Sequence, residues 1–113
     1  MSGIIALKQN VDFHRIYSRG KSKADSVLVT YALKTRGNEQ HIGITTSKKL
    51  GKAVERNRCR RVIRAAYSSM QSECSGGWNI VFVARFKTKQ TKSTDLSVVM
   101  KKQLKDLGVI KTD

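Results

Sequence analysis

One segment of this chain restricts its possible folds more than any other, because it is both amphipathic and strongly basic. Residues 48–64 contain eight lysines and arginines and one acid, Glu55, so the segment carries a net charge of +7. From residue 59 to residue 70, apolar residues recur with the spacing of one helical face, at Cys59, Val62, Ile63, Ala66 and Met70. Such a helix packs one face on a core and turns the other toward anions. The sequence therefore predicts a folded domain with an exposed basic helix.

The charge of the whole chain indicates the class of partner. Its 113 residues include 23 lysines and arginines against 8 acids, a net charge of +15. Self-repulsion at this density opposes compaction, and polyphosphate backbones relieve it because each neutralised phosphate releases a counterion. A membrane surface is the competing partner, but a lone basic amphipathic helix would favour it, and this chain also has strand patterns. Nucleic acid is the predicted partner.

Composition argues against several other classes of protein. The longest uninterrupted apolar run, 80–84, is far shorter than the ~20 residues of a membrane span. The amino terminus lacks a secretory signal, because Lys8 directly follows Leu7. Two cysteines, Cys59 and Cys74, are too few for a disulfide framework or a four-thiolate zinc site. We expect a cytoplasmic chain with reduced thiols and no membrane association.

Periodicity predicts three helices and three strands. Apolar residues have helical spacing in three segments, 10–18, 53–70 and 94–107. Alternating or β-branched runs mark three strands, 27–34, 41–46 and 79–87. The polar segment 36–39 predicts a hairpin between the first two strands, and the last strand, apolar on both faces, is expected at the centre. The element order is typical of an α+β sandwich, with residues 1–113 as one domain and three helices on a small mixed sheet.

Exposure of the basic helix to solvent, with salt bridges along its surface, does not explain its charge pattern. On a helical wheel, Asn57, Arg60, Arg61 and Arg64 lie opposite the apolar stripe, and Arg56 and Arg58 flank it. Glu55 is the only acid near five arginines, and like charges four residues apart destabilise a helix. The planar guanidinium group of arginine suits bidentate contacts with phosphate. The sequence predicts an RNA- or DNA-binding face here.

Aromatic residues suggest a second contact surface. Phe13 and Tyr17 share one face of the first predicted helix, and Tyr31 lies on a strand that could pack beside it. Aromatic rings beside a basic groove bind single-stranded nucleic acid by stacking on bases, although core packing is the alternative for all three. Four other aromatic residues are predicted to lie in the core: Tyr67, Trp78, Phe82 and Phe86.

No local motif points to catalysis or metal binding by the protein itself. The eight acids are spaced seven or more residues apart, whereas a metallonuclease needs converging carboxylates. His14 and His41 have no ligand spacing to either cysteine. We expect no catalytic residue, no metal site and no cofactor bound by the protein alone.

Residues 47–64 closely resemble the signature of the bacterial ribonuclease P protein subunit family. That signature has a Ser-Lys-Lys-x-Gly stretch, then a helix with Arg-Asn-Arg followed by basic-basic-x-x-Arg, matched here by 47–51, 56–58 and 60–64. Asp12-Phe13 with Tyr17, and Ala84-Arg85 at the end of the last predicted strand, also fit the family pattern. The resemblance extends from about residue 7 to residue 107, nearly the whole chain.

The resemblance implies a fold detail and a division of labour. It implies a left-handed βαβ crossover, opposite to the usual hand. It also implies that the RNA subunit, with its bound magnesium ions, is the catalyst, and that the protein binds this RNA and the 5′ leader of precursor tRNA. The expected holoenzyme contains one protein and one RNA.

The two contact sets are expected at different residues. We assign the RNA-subunit contacts to Lys48, Lys49, Lys52, Arg56, Asn57, Arg58, Arg60, Arg61 and Arg64. The resemblance implies leader contacts at Phe13, Tyr17, Tyr31 and Arg85. Two other functions stay open at this stage: a structural RNA-binding protein of the ribosomal type, which charge alone would fit, and a nuclease with its own active site, which the scattered acids disfavour.

Overall fold

The computed structural model describes residues 4–111 and contains one five-stranded sheet and three helices. The strands are β1 (Ile4–Ala6), β2 (Lys21–Ala24), β3 (Leu28–Lys34), β4 (Gln40–Thr45) and β5 (Trp78–Ala84). The helices are α1 (Asn10–Arg19), α2 (Ala53–Ser68) and α3 (Ser93–Leu107). Three short 3-10 turns span Lys48–Leu50, Gln71–Glu73 and Phe86–Gln90. The predicted helices and strands are all present, and the α+β class is confirmed.

The sheet is mixed, with β5 at its centre. The strand order is β1-β4-β5-β3-β2. β4 and β5 are parallel neighbours, whereas β3 runs antiparallel to β5. Because α2 connects the parallel strands β4 and β5, these three elements form the βαβ crossover. Its left-handed sense is what the family resemblance implies. β1 and β2, which sequence periodicity did not reveal, are short edge strands of three and four residues.

The predicted hairpin between β3 and β4 is wrong, because β5 lies between these strands. Ile80, Val81 and Phe82 of β5 are fully buried, so this strand needs cover on both faces, which only the middle of a sheet provides. The 35–39 loop instead bonds to the segment before β5. The amide of Thr35 donates to the Gly77 carbonyl at 2.7 Å.

The helices cover opposite faces of the sheet. The main core cluster joins α2 and α3 to the sheet, with Ile63 and Leu104 packed in the same cluster as Phe82. α1 packs on β3 and β5, and its Ile16 is fully buried but lies outside that cluster. Since successive strand residues point to opposite faces, Val81 faces α1 while its neighbours face α2 and α3. The result is a three-layer arrangement, with α1 alone on one side.

A buried polar network fixes the crossover helix. The Tyr67 hydroxyl of α2 donates to Gln40 Oε1 at 2.7 Å, and Gln40 Nε2 donates to the Cys74 carbonyl at 3.0 Å. Burial raises the pKa of the Tyr67 hydroxyl, so it remains a neutral donor. These bonds tie the end of α2 to the start of β4 and set the direction of the basic helix.

Side-chain burial agrees with the sequence predictions at most of the aromatic and cysteine positions. Tyr67 and Phe82 are buried, Trp78 is half-buried, and Cys59 and Cys74 are buried free thiols. Phe86 is the exception, because β5 ends at Ala84 and the chain turns into a 3-10 turn that leaves this residue 64% exposed. Within residues 4–111, no helix has the length and apolar character needed to span a bilayer.

Candidate nucleic-acid interface

The outer face of α2 carries the predicted basic residues. Asn57, Arg61 and Arg64 are exposed, and Arg56 and Arg58 are half-buried, as the helical wheel predicted for outward and flanking positions. Arg60 is also half-buried, although the wheel placed it opposite the apolar stripe. We call the outer groove of about 570 Å³ the arginine groove; it is lined by Val54, Asn57, Arg60, Arg61 and Arg64. Three guanidinium groups along one groove suit a run of phosphates.

The connection before α2 presents three lysines. Ser47 Oγ accepts a hydrogen bond from the Lys49 amide at 3.1 Å and starts the 3-10 turn. Gly51 ends it with φ of 137°, a backbone conformation that disfavours residues with a Cβ atom. Lys48, Lys49 and Lys52 are exposed as a result, and they extend the basic surface beyond the amino-terminal end of α2.

The one acid of α2 does not neutralise its arginines. Glu55 accepts from the Lys52 amide and pairs with Lys89, both at 3.1 Å, and these bonds hold the pKa of the Glu55 carboxyl below its usual range. The ion pairs among residues 4–111 are His41–Glu39, Lys89–Glu55 and Lys101–Glu73. No arginine of α2 takes part in them, so these arginines have no carboxylate partner among the described residues.

Three arginines of the predicted set differ in their contacts with the rest of the fold. Arg58 Nη1 donates to the Lys89 carbonyl at 2.6 Å and braces the 3-10 turn at 86–90. Arg56 Nε is buried without a hydrogen-bond partner among the described residues. Arg60 Nη1 donates to Asn57 Oδ1 at 3.1 Å, which orients two residues of the arginine groove.

Three aromatic residues meet between α1 and the sheet, as the sequence predicted. The ring centroids of Tyr17 and Tyr31 are 4.9 Å apart in an edge-to-face arrangement, and those of Phe13 and Tyr17 are 6.4 Å apart. The hydroxyl groups of Tyr17 and Thr45 are hydrogen-bonded at 2.8 Å. Tyr17 is 37% exposed, whereas Phe13 and Tyr31 are half-buried. We call this set the aromatic cleft; its rings pack on each other and still present surface to solvent.

Gly43 permits this arrangement and was missed by sequence reasoning. A Cβ atom at Gly43 would lie 2.7 Å from Phe13 Cε1 and 3.3 Å from Leu7 Cβ, so the ring rests directly on the strand backbone. A glycine inside a strand often marks such a close approach, and this is the signal that could have found it.

Arg60 connects the aromatic cleft to the basic helix. It lines the arginine groove and two neighbouring cavities of about 370 Å³ and 430 Å³. The smaller cavity is also lined by Phe13, Tyr17 and Thr46. The larger cavity is lined by residues of β4 and by Leu7. An RNA strand in the aromatic cleft would therefore reach a guanidinium group of α2.

Arg85 lies apart from the other predicted leader residues. It is exposed and directly follows β5, four residues beyond Val81, which pairs with Tyr31. At ~3.3 Å per strand residue, it stands about 13 Å along the sheet from Tyr31.

Among residues 4–111, His, Cys, Asp and Glu form no group of three or more that could hold a metal ion.

Comparisons with known proteins agree with this geometry. Residues 1–108 match the family model described as Ribonuclease P. A "Ribonuclease P protein component" of Clostridioides difficile is 40% identical over 100 residues, covering 88% of both chains. The Staphylococcus aureus RNase P protein structure superposes with a TM-score of 0.83 at 32% identity, covering 94% of this chain and 97% of that one. An RNase P protein from Thermotoga maritima gives 0.77 at 25% identity, covering 93% and 99%. The chain belongs to the ribonuclease P protein family.

Proposed function

We propose that this chain is the protein subunit of a ribonuclease P ribonucleoprotein and that it binds both the catalytic RNA and the 5′ leader of precursor tRNA. The observation that carries the proposal is the arginine-rich face of α2, which has no carboxylate partner within residues 4–111 and meets the aromatic cleft at Arg60. Family membership favours this role over that of a structural protein of the ribosome, which needs the charge but not the cleft.

The RNA subunit binds along α2 and the lysines before it. Arg60, Arg61 and Arg64 contact phosphates, and each neutralised phosphate adds affinity through counterion release. Asn57 Oδ1 is occupied by Arg60, so its amide NH₂ group is available to donate to a base or a ribose hydroxyl. The lysine-rich turn and the flanking arginines complete this surface: Lys48, Lys49, Lys52, Arg56 and Arg58.

The leader of the precursor binds in the aromatic cleft. Tyr17 and Tyr31 offer ring surface for unpaired bases, and stacking on aromatic rings tolerates many sequences because every base has a π face. Phe13 supports Tyr17 from below through their ring contact. Arg85 contacts a phosphate farther along the leader, beyond the reach of the cleft itself.

The chemistry belongs to the RNA. The RNA subunit holds the magnesium ions that cleave the phosphodiester, and the protein binds no cofactor of its own. The residues of this chain bind and orient the two RNAs. One protein and one RNA form the holoenzyme in the cytoplasm.

A cleavage assay on precursor tRNA tests this function. We expect protein with its cognate RNA to cleave at lower magnesium concentration than RNA alone, and protein alone to cleave nothing. Cleavage at the mature 5′ end by purified protein without RNA would contradict the proposal and favour a nuclease. RNA binding without any gain in cleavage would favour a structural protein of the ribosomal type.

Tyrosine variants test the leader contact. Tyr17→Ala or Tyr31→Ala should weaken binding of precursor more than of mature tRNA, by about 1–3 kcal/mol for a stacked base. The corresponding tyrosine-to-phenylalanine changes should cost less because the ring remains. Val11→Ala is the matched control, since Val11 is also on α1 and 55% exposed. Equal losses for both RNAs, together with a large fall in Tm, would indicate a packing role instead.

A further inference from the structure

We propose that Phe86 is a stacking platform for an unpaired RNA base, separate from the aromatic cleft. The proposal rests on the RNA-binding function above and adds a specific site to it. Phe86 is 64% exposed although it lies in a folded, hydrogen-bonded turn. Phe86 is not among the residues assigned above to the RNA subunit or to the leader.

The turn that carries Phe86 is held rigidly. The Arg85 amide donates to Thr88 Oγ1 at 2.8 Å, and the Thr91 hydroxyl donates to the Lys87 carbonyl at 2.7 Å. Thr88 is fully buried, so it anchors the turn from beneath. A rigid aromatic ring loses little conformational entropy when a ligand binds. The turn therefore presents Phe86 in a fixed position.

A cation occupies one face of the Phe86 ring and leaves the other open. Lys89 Nζ lies 4.0 Å from the ring centroid, within the range of a cation–π contact. Glu55 pairs with the same ammonium group at 3.1 Å, and the Lys89 side chain is only 16% exposed. Because the residue remains mostly exposed with one face covered, its second face is open to solvent and free to receive a flat ligand.

The surroundings of the ring select RNA over an apolar protein partner. Arg85, Lys87 and Lys92 are exposed in the same stretch of chain, and no acid lies between residues 74 and 94. Burying these cations in an apolar interface would be costly without anionic partners. A base on the ring with its phosphates beside the cations satisfies both requirements, as in single-strand binding grooves.

The platform lies beside the basic helix. Arg58 of α2 donates to the Lys89 carbonyl, and Glu55 of α2 pairs with Lys89, so the turn and the first half of α2 form one continuous surface. The neighbouring Arg85 is about 13 Å along the sheet from Tyr31. A base on Phe86 is therefore a different nucleotide from one held in the aromatic cleft.

Affinity measurements on three Phe86 variants test the proposal. Phe86→Leu and Phe86→Ala should weaken RNA binding by about 5- to 150-fold, the effect of losing one stacked base, whereas Phe86→Tyr should bind nearly as wild type. Since no charge is lost, the slope of log K against log salt should stay unchanged. Val98→Ala on α3 is the control, because Val98 is 71% exposed and away from this turn. Binding is measured separately to the cognate RNA subunit, precursor tRNA and mature tRNA.

The three RNAs assign the source of the base. A loss for the RNA subunit alone places the base there, and a loss for precursor but not mature tRNA places it in the leader; either result supports the platform. Wild-type affinity of Phe86→Leu for all three RNAs, or equal losses in Phe86→Leu and Phe86→Tyr, would overturn it. If the wild-type protein binds none of the three RNAs, the proposed function fails together with the platform. This result differs from failure of the platform alone, in which the wild-type protein still binds RNA.

Discussion

Replacing Gly43 with alanine is expected to strain the aromatic cleft from below. The added Cβ would lie 2.7 Å from Cε1 and 2.8 Å from Cζ of Phe13, well inside van der Waals contact, so the ring must move. Overpacking of this kind costs about 1–3 kcal/mol. The lower backbone entropy of alanine in the unfolded chain returns ~0.4–1 kcal/mol. We expect a net loss of about 1–2 kcal/mol in the free energy of unfolding.

Urea and thermal unfolding measure this loss, which corresponds to a fall in Tm of about 4–8 °C for a domain of this size. The displaced ring should also weaken precursor binding, because Phe13 supports Tyr17. Gly37→Ala is the matched control. A Cβ there meets only the Glu39 amide nitrogen, at 4.0 Å, so stability should stay the same or rise slightly.

A double-mutant cycle isolates the contact. In a Phe13→Ala background the ring is absent, and Gly43→Ala should then be neutral or slightly stabilising. The coupling energy between the two sites should be about 1.5–3 kcal/mol. A coupling energy near zero, or a Gly43→Ala protein as stable as Gly37→Ala, would refute the reasoning.

Three further outcomes follow from the charges and thiols. Arg60→Ala with Arg64→Ala should weaken binding to the RNA subunit and reduce the slope of log K against log salt by ~0.7–0.9 for each lost phosphate contact; an unchanged slope would remove both residues from the interface. Glu55→Gln should lower stability at neutral pH, because the lowered pKa of Glu55 means that its ionised form is stabilised in the fold. That difference should shrink as pH falls through this pKa, and urea midpoints that differ equally at pH 7 and pH 3 would contradict it. Cys59 and Cys74 should react slowly with a thiol reagent at pH 8 until urea is added, since burial raises both pKa values, that of Cys74 to about 11; rapid labelling of the native protein would show the thiols to be accessible.

Local patterns predicted most of the elements, because helices and strands are encoded over a few neighbouring residues. The apolar spacing that predicted 94–107 gives α3 over Ser93–Leu107, and alternation placed β3 within one residue of its observed start. β1 and β2 were missed because three or four residues are too short for a period to emerge. β2 is also exposed along its whole length, so it has no apolar face to reveal it.

The candidate site was predictable where it lies on one element and not where it spans several. The outward arginines follow from the period of a single helix. The junction at Arg60 and the packing of Phe13 on Gly43 depend on where α1 and α2 dock, on opposite faces of the sheet. Arg58 was assigned to RNA from its charge, and only its bond to the Lys89 carbonyl revealed its second role in the fold.

The sequence by itself determined the kinds of elements, the basic face of α2 and the family, because each depends on residue identity and short spacing. Tertiary structure alone decided the strand order and the exposure of Phe86. Neighbouring strands in sequence favour a hairpin, but β5 is apolar on both faces and is fully covered only at the centre of the sheet, so it separates β3 from β4. Alternation would have buried Phe86, but Thr88 closes a turn after Ala84 and directs the ring to solvent. Both outcomes reflect burial and hydrogen bonding between distant segments, which no local window of the sequence contains.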